Sequence, residues 1–401
     1  MTAPAATWPI SLDDPYEDYR RLRDTGPVVW LDEVGLPLVV SYAEARDVLH
    51  GDGWSSDPRN NPAFAALLAD AGLGQDAALS SLLFSDPPEH TRLRNKLAGY
   101  FTPRRVDAFR DRIRSLVKTA LDGHDVGVPF DVMGALAYAV PLAAICEILD
   151  VGPDVEELLR AQTPALAATL DPLVDSAGLE DGVVAGLSLL LDLVPVVAER
   201  RARPGNDLIS ELSGDRDGTP GLEPEEVIAT ALLLLVAGHE TTATLVGNSV
   251  VALHDRPQLI AALRRDPMLI APAVSELLRF ESPVQLAGRV AVADTTVGGI
   301  RVRAGQQVLI GLGAANRDPA AFIDPDSILL RRGGSPHLAF GHGRHFCVGA
   351  ALARVETEEM LQGLIEAHPR LAAYDVDLQR AASAAFRRIT RLSLTPDPGC
   401  A

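Results

Sequence analysis

The sequence predicts a mainly α fold with a small β region (α+β), carried as a single domain over residues 1–401. Three observations predict it. Residues 224–254 can run as one unbroken helix, with Pro224 suited to the first helical position and Glu225 and Glu226 in the first turn. Residues 131–150 and 179–200 read as apolar core helices. Strand signals cluster at 296–314, where Gly298-Gly299 and Ala304-Gly305 punctuate short segments. No internal repeat and no long low-complexity linker offers a place to divide the chain.

Composition narrows the function classes. A hydrophobic content of 47 % with 22 % charged residues supports a large buried core. The formal net charge of −18 argues against nucleic acid or an anionic membrane as a general partner. An anionic cofactor would then need locally placed cations. The 3 cysteines are unclustered, which suggests a reducing compartment and no disulfide framework. Residues 1–10 show neither the basic nor the apolar part of a signal peptide. The longest apolar runs, 227–238 and 134–146, fall short of the about 20 residues that span a bilayer. The expectation is a soluble, cytoplasmic protein.

Taken in order, residues 14–24 form an amphipathic helix that opens near Pro15 and closes at Gly26-Pro27. Residues 28–31 and 36–40 alternate like a short antiparallel pair, and 42–49 form a further helix. Residues 54–81 read as irregular, a long loop of the kind that is often functional. Asp86 is a candidate N-cap, with Pro87 at N1 and Glu89 at N3 of the next helix. His90 and Arg94, four residues apart, project from one face of it. Residues 203–207 break the helix at 179–200, and 214–221 form a polar loop.

A glycine- and histidine-rich loop runs from His337 to Cys347, and a small-residue helix follows. A cysteine at a helix N-terminus meets free backbone N–H donors and the positive end of the helix dipole, both favouring thiolate. Gly341, Gly343 and Gly349 let the backbone bring amides close to the sulfur or to a flat ligand lying on it. Two plainer readings compete: a small buried hydrophobe, or zinc held with His342 and His345. Zinc needs about four ligands, and Cys146 and Cys400 lie elsewhere. Inside the long helix, Ala237-Gly238-His239-Glu240-Thr241-Thr242 is poor helix chemistry, and such departures concentrate at functional sites. Leu233, Ala237, Thr241 and Thr244 share one stripe. Thr241 can bond back to the Ala237 carbonyl and open a groove. A helix–helix contact built on small residues is the plain alternative, but it leaves a buried carboxylate unexplained.

Phe340-Gly341-His342-Gly343-Arg344-His345-Phe346-Cys347-Val348-Gly349 resembles the heme-binding signature of the cytochrome P-450 family in its soluble bacterial form. The resemblance extends over most of the chain, from Asp14 to the strand region at 386–394, with motifs in the right order. It implies the cytochrome P-450 fold, with a long central helix over heme and a proximal cysteine loop. It implies heme b (iron protoporphyrin IX) with Cys347 as the axial iron ligand. Phe340, Gly341, Gly349 and Ala353 would pack on the heme, and Ala237 and Gly238 would flank its oxygen side. His90, Arg94, Arg289 and His345 match positions from which the family reaches the two propionates. By the same resemblance Thr241 would hold iron-bound oxygen and Glu240 would relay protons; His239, about 100° round the helix, is given no role. Glu276 and Arg279 resemble the family's structural Glu-x-x-Arg pair. Ser327 stands where many members carry an arginine that joins that pair, which leaves Arg331 or Arg332 to complete it.

The implied reaction is insertion of one oxygen atom from O2 into a hydrophobic small molecule of natural-product, terpenoid or aromatic type. Leu233, Val236, Ala237, Gln285, Leu286 and Phe386 would line the pocket, with the loop at 54–83 and the region 163–187. No flavin or nicotinamide fingerprint is present, so ferredoxin and ferredoxin reductase are the expected electron donors. Arg104, Arg105 and Arg344 would offer them a basic patch. The rivals are a peroxide-driven heme-thiolate enzyme and a catalytically idle relative acting as a binding partner.

Overall fold

In a computed structural model of the protein, the residues described are 8–70, 81–122, 128–171, 174–215, 220–334, 336–368 and 370–396. Parts of the expected loops at 54–83 and 214–221 lie outside them. Fourteen helices are described: α1 Tyr16–Thr25, α2 Tyr42–His50, α3 Pro62–Asp70, α4 Glu89–Ala98, α5 Pro103–Leu121, α6 Ala139–Leu149, α7 Pro153–Ala168, α8 Ser176–Ala202, α9 Leu208–Ser213, α10 Pro224–His254, α11 Pro257–Arg265, α12 Ile270–Phe280, α13 Leu312–Ala315 and α14 Ala350–Ala367. A five-stranded sheet runs in the order β1 (Val28–Leu31), β2 (Leu36–Val39), β8 (Gln307–Gly311), β5 (Leu286–Ala291), β3 (Trp54–Ser55). A hairpin pairs β6 (Thr295–Val297) with β7 (Ile300–Val302), and β4 (Phe130–Asp131), β10 (Ile389–Pro396) and β9 (Tyr374–Arg380) form the third sheet. The expected class, mainly α with a small β region, is what forms.

α10 spans the bounds its sequence predicts. Glu223 and Glu226 close a reciprocal capping box around Pro224 at the first position, which satisfies backbone donors that would otherwise be orphaned. Its length of about 45 Å crosses the main core, where it packs with α6, α8, α12 and α14 through one continuous apolar cluster. Separate clusters join the five-stranded sheet to α2 and α13 and to α1. A small fourth cluster of Leu68 and Leu179, with Phe64, Leu67 and Val174 against it, ties α3 to α8.

Four expectations change. Residues 62–70 are helical, not irregular. α4 starts at Glu89 rather than at Pro87, because the Asp86 carboxylate is turned the other way, accepting from the Ser55 hydroxyl and the Ser56 amide. The expected helix at 131–150 is two pieces, a π-helical turn Val132–Ala137 and then α6. Helices long and apolar enough to cross a membrane, by length and composition, do exist: Val132–Leu149, Ser176–Ala202 and Pro224–His254. The first and third bury 67 % and 72 % of their apolar windows inside the protein, whereas α8 buries only 33 %.

Candidate active site

From Val227 to Val250 α10 is buried, except at Leu233, Val236, Ala237, Gly238 and Thr241, which keep accessible surface. The spacing of Leu233, Val236, Ala237 and Thr241 puts them on one stripe that borders an internal space, whereas Gly238 is turned towards Ile145 of α6. Thr244, expected on the same stripe, is fully buried, and its hydroxyl has no partner. Thr241 Oγ1 donates to the Ala237 carbonyl at 2.7 Å, and Thr242 Oγ1 donates to the Gly238 carbonyl at 3.0 Å. Two consecutive back-bonds loosen the ladder where Gly238 already weakens it.

The cysteine loop has the same character. Cys347 lies deep in the fold, yet it and its neighbours from Phe340 to Val348 keep some accessible surface, as side chains lining an internal space do. Gly341 and Gly343 take the positive φ of 71° that turns this loop. The Cys347 amide donates to the Phe340 carbonyl at 2.9 Å, and α14 begins three residues after the cysteine. Burial pushes the Cys347 thiol up, against the opposing pull of the Gly349 amide, Arg94 and Arg354. Desolvation thus opposes the helix end, which favours thiolate, and a bound metal would draw off the proton.

Around the same space stand two arginines and two histidines from three parts of the chain: His90 and Arg94 on α4, Arg289 on β5, and His345 before the cysteine. The His90 and His345 rings lie 4.1 Å apart between centroids, and both Nε2 atoms are buried without a hydrogen-bond partner. Burial, then Arg289, His90 and Arg94, push the His345 pKa down to about 3. Burial lowers Arg289 to about 10. Two guanidinium groups beside two imidazoles whose ring nitrogens lack partners form a cradle for an anion. Arg354 stacks on the Phe340 ring at 4.7 Å, and Ala353 is half-buried one turn into α14.

Glu240 is buried, and burial raises its pKa. Arg388 Nε lies 2.6 Å from Glu240 Oε1, close enough for an ion pair, although its N–H is not aimed for a hydrogen bond. The Tyr138 hydroxyl is 3.5 Å from the same oxygen and 3.2 Å from the Ile389 carbonyl. No local sequence pattern announces Arg388 or Tyr138, because both come from distant segments. His239 is held by the Leu235 carbonyl (2.7 Å) and Thr163 (3.2 Å), and burial lowers its pKa to about 4. It is a neutral core histidine.

The remaining expected residues fall as follows. Gln285 is buried, with its amide donating to the Ser282 carbonyl at 2.7 Å and lying 3.4 Å from the Tyr16 hydroxyl; Leu286 packs in the cluster around α1. Phe386 is buried beside Val284, to which it bridges. Glu276 and Arg279 form a buried bidentate pair, and Arg332 closes it with Nε 2.9 Å from Glu276 Oε1. Ser327 contributes only its carbonyl, which accepts from both arginines, and Arg331 pairs with Asp266 instead. Of the expected basic patch, Arg105 is paired with Glu211 and Arg344 with Asp52, leaving a weaker patch than the sequence suggested. Among the described residues no group of three or more His, Cys, Asp or Glu could hold a metal ion, so the zinc alternative has no ligand set.

The family model for cytochrome P450 matches residues 196–368. The chain is 40 % identical over 371 residues to the cytochrome P450 monooxygenase PikC of Streptomyces venezuelae, covering 90 % of this chain and 85 % of that protein. It is 34 % identical to the 6-deoxyerythronolide B hydroxylase of Saccharopolyspora erythraea, with 90 % of each covered. Among solved structures, P450BioI in complex with a hexadec-9Z-enoic acid-ligated acyl carrier protein superposes with a TM-score of 0.87 at 31 % identity, over 96 % of this chain and 99 % of that one.

Proposed function

The chain belongs to the cytochrome P450 family, and on that premise we propose that it hydroxylates, or otherwise oxidises, a hydrophobic small molecule of natural-product type. It is a P450 monooxygenase, and its cofactor is heme b. The residues present fit that group: a deep cysteine, an open helix stripe, and a cation cradle whose orphaned nitrogens want anionic partners. Heme b, when bound, supplies the oxygen-activating chemistry, and a thiolate ligand favours O–O cleavage.

In this reading Cys347 ligates the iron, and His90, Arg94, Arg289 and His345 bind the two propionates. Phe340, Gly341, Gly349 and Ala353 support the macrocycle on one side, and Ala237 and Gly238 border it on the other. Thr241 would hold a hydroxyl at the groove, able to turn from the Ala237 carbonyl towards the oxygen side of the heme. Glu240 stores and passes a proton, its burial and its Arg388 partner pulling its pKa in opposite directions. Leu233, Val236 and Ala237 give the substrate an apolar wall. The erythronolide named for one relative and the long-chain acid in one neighbouring structure support an apolar substrate of that kind. Electrons come from a separate ferredoxin and its reductase, in the cytoplasm.

The observation that carries the reading is the pairing of the open α10 stripe with a deep but accessible Cys347. The spectrum of the reduced protein with carbon monoxide tests it. A strongly red-shifted Soret band, lost in Cys347→Ser, is expected; an unshifted band overturns the assignment of Cys347. Product formation with a ferredoxin donor and none with hydrogen peroxide alone is expected next. The reverse outcome replaces the proposal with a peroxide-driven enzyme.

A further inference from the structure

α8 carries four of the large apolar side chains the protein leaves exposed: Val184 (64 %), Leu187 (53 %), Leu191 (69 %) and Val194 (44 %). At about 100° per residue they lie on one narrow stripe, with Glu180 and Ala198 on the same line. Asp181, Asp192 and Glu199 fall on the flanks, about 100° or more away. On the inner side Leu189, Leu193 and Val197 are buried in the main core, so the outer stripe is surplus to the fold. Contiguous exposed apolar surface of this kind marks an interaction site. Ala161, Pro164 and Ala168, exposed on the neighbouring α7, widen it.

The stripe reads the same in both directions about position 189. Val184 answers Val194, and Leu187 answers Leu191. We infer that α8 pairs antiparallel, across a two-fold axis near Leu189, with α8 of a second copy of this chain. In that arrangement Asp192 falls opposite Gly186, and Glu180 falls opposite Ala198, one helical turn from Arg201. Arg201 is exposed and spends one nitrogen on the Leu222 carbonyl, leaving others to reach Glu180 of the partner copy. The acidic start and basic end of α8 thus become complementary when the helix is reversed upon itself, as an isologous contact requires. A bilayer is the poorer occupant. An interfacial helix flanks its apolar face with Lys and Arg, whereas the acids Asp181, Asp192 and Glu199 flank this one.

One helix pair buries less than the roughly 1,200 Å² of a standard interface, so the dimer is weak, with a Kd on the order of 10–100 μM. Sedimentation equilibrium of the full-length holoprotein over a range that brackets those concentrations tests it. A reversible monomer–dimer equilibrium is expected, with Leu191→Asp raising Kd at least tenfold. Glu180→Arg weakens the dimer, and the charge-exchanged Glu180→Arg/Arg201→Glu protein recovers it, a rescue that misfolding would not give. A wild-type protein monomeric throughout overturns the inference. So does dimerisation unchanged by Leu191→Asp, or a charge-exchanged protein that fails to recover. Co-sedimentation of a monomeric wild type with phosphatidylcholine vesicles, abolished by Leu191→Asp, would also overturn it by giving the stripe to lipid.

Discussion

Glu240 is caught between two terms of opposite sign. Burial favours its protonated form, and the Arg388 guanidinium favours the carboxylate. Removing Arg388 as Arg388→Leu therefore raises the Glu240 pKa further. The limb of the turnover–pH profile that reports its ionisation should move to higher pH, with the spectral shift on substrate binding unchanged. An unmoved limb would separate Arg388 from the proton path. Glu240→Gln should lower turnover by about 10²-fold. Glu356, on α14, is a second buried carboxyl, sharing a hydrogen bond with Thr242, and burial raises its pKa to about 8. The folded protein thus keeps this proton where the unfolded chain has released it, so the stabilising contribution is whole below about pH 4.5 and is lost as pH rises towards 8. Glu356→Gln keeps the shape and removes the titration. The melting temperature of wild type relative to this variant should fall between pH 5 and 8; a constant difference would mean that Glu356 does not titrate there.

At the scale of elements, what could be read in the sequence is what a short window encodes. The bounds of α10 follow from Pro224 and its capping glutamates, and the Cys347 loop from its glycines, because those signals act within a turn. α4 starts later than its cap signal predicts because Asp86 has two possible uses, and its carboxylate accepts from Ser55 and Ser56 rather than from its own helix. Residues 62–70 were hidden by the prolines and glycines around them. The arginine completing the Glu276 pair could not be chosen, since Arg331 and Arg332 are adjacent and only the path of the loop after Ser327 decides which faces inward. That network joins α12 to the segment before the cysteine loop, and it gives a prediction of its own. Arg332→Leu removes charge-assisted bonds to Glu276 but leaves Arg279 in place, so the loss should be about 2 kcal/mol. Chemical denaturation of the holoprotein measures it. A loss within about 0.5 kcal/mol of zero, the size of an ordinary surface change, would show that Arg279 alone suffices.

Across the whole molecule the charge is arranged against its own average. A chain of net charge −18 concentrates His90, Arg94, Arg289 and His345 around one internal space. No carboxylate of the protein closes on them: Asp86, the nearby acid, is engaged by Ser55 and Ser56, and Arg289 donates only to the Gly288 carbonyl. Such a cluster costs stability until an anion fills it, because an unpaired buried charge is penalised by desolvation and by its like-charged neighbours. The sequence motifs disclose these residues one at a time, but only the fold shows burial and the neighbouring arginines holding the two histidines down, and burial bringing Arg289 down to about 10. Apoprotein and holoprotein should therefore answer Arg289→Leu with opposite signs. The apoprotein variant should melt above wild-type apoprotein, since a buried repulsive charge is gone. The holoprotein variant should surrender heme to excess apomyoglobin at least tenfold faster, the equivalent of losing one charge-assisted hydrogen bond of about 1.5–3 kcal/mol. A variant that destabilises both forms alike would make Arg289 an ordinary structural residue and leave the propionates to the other three.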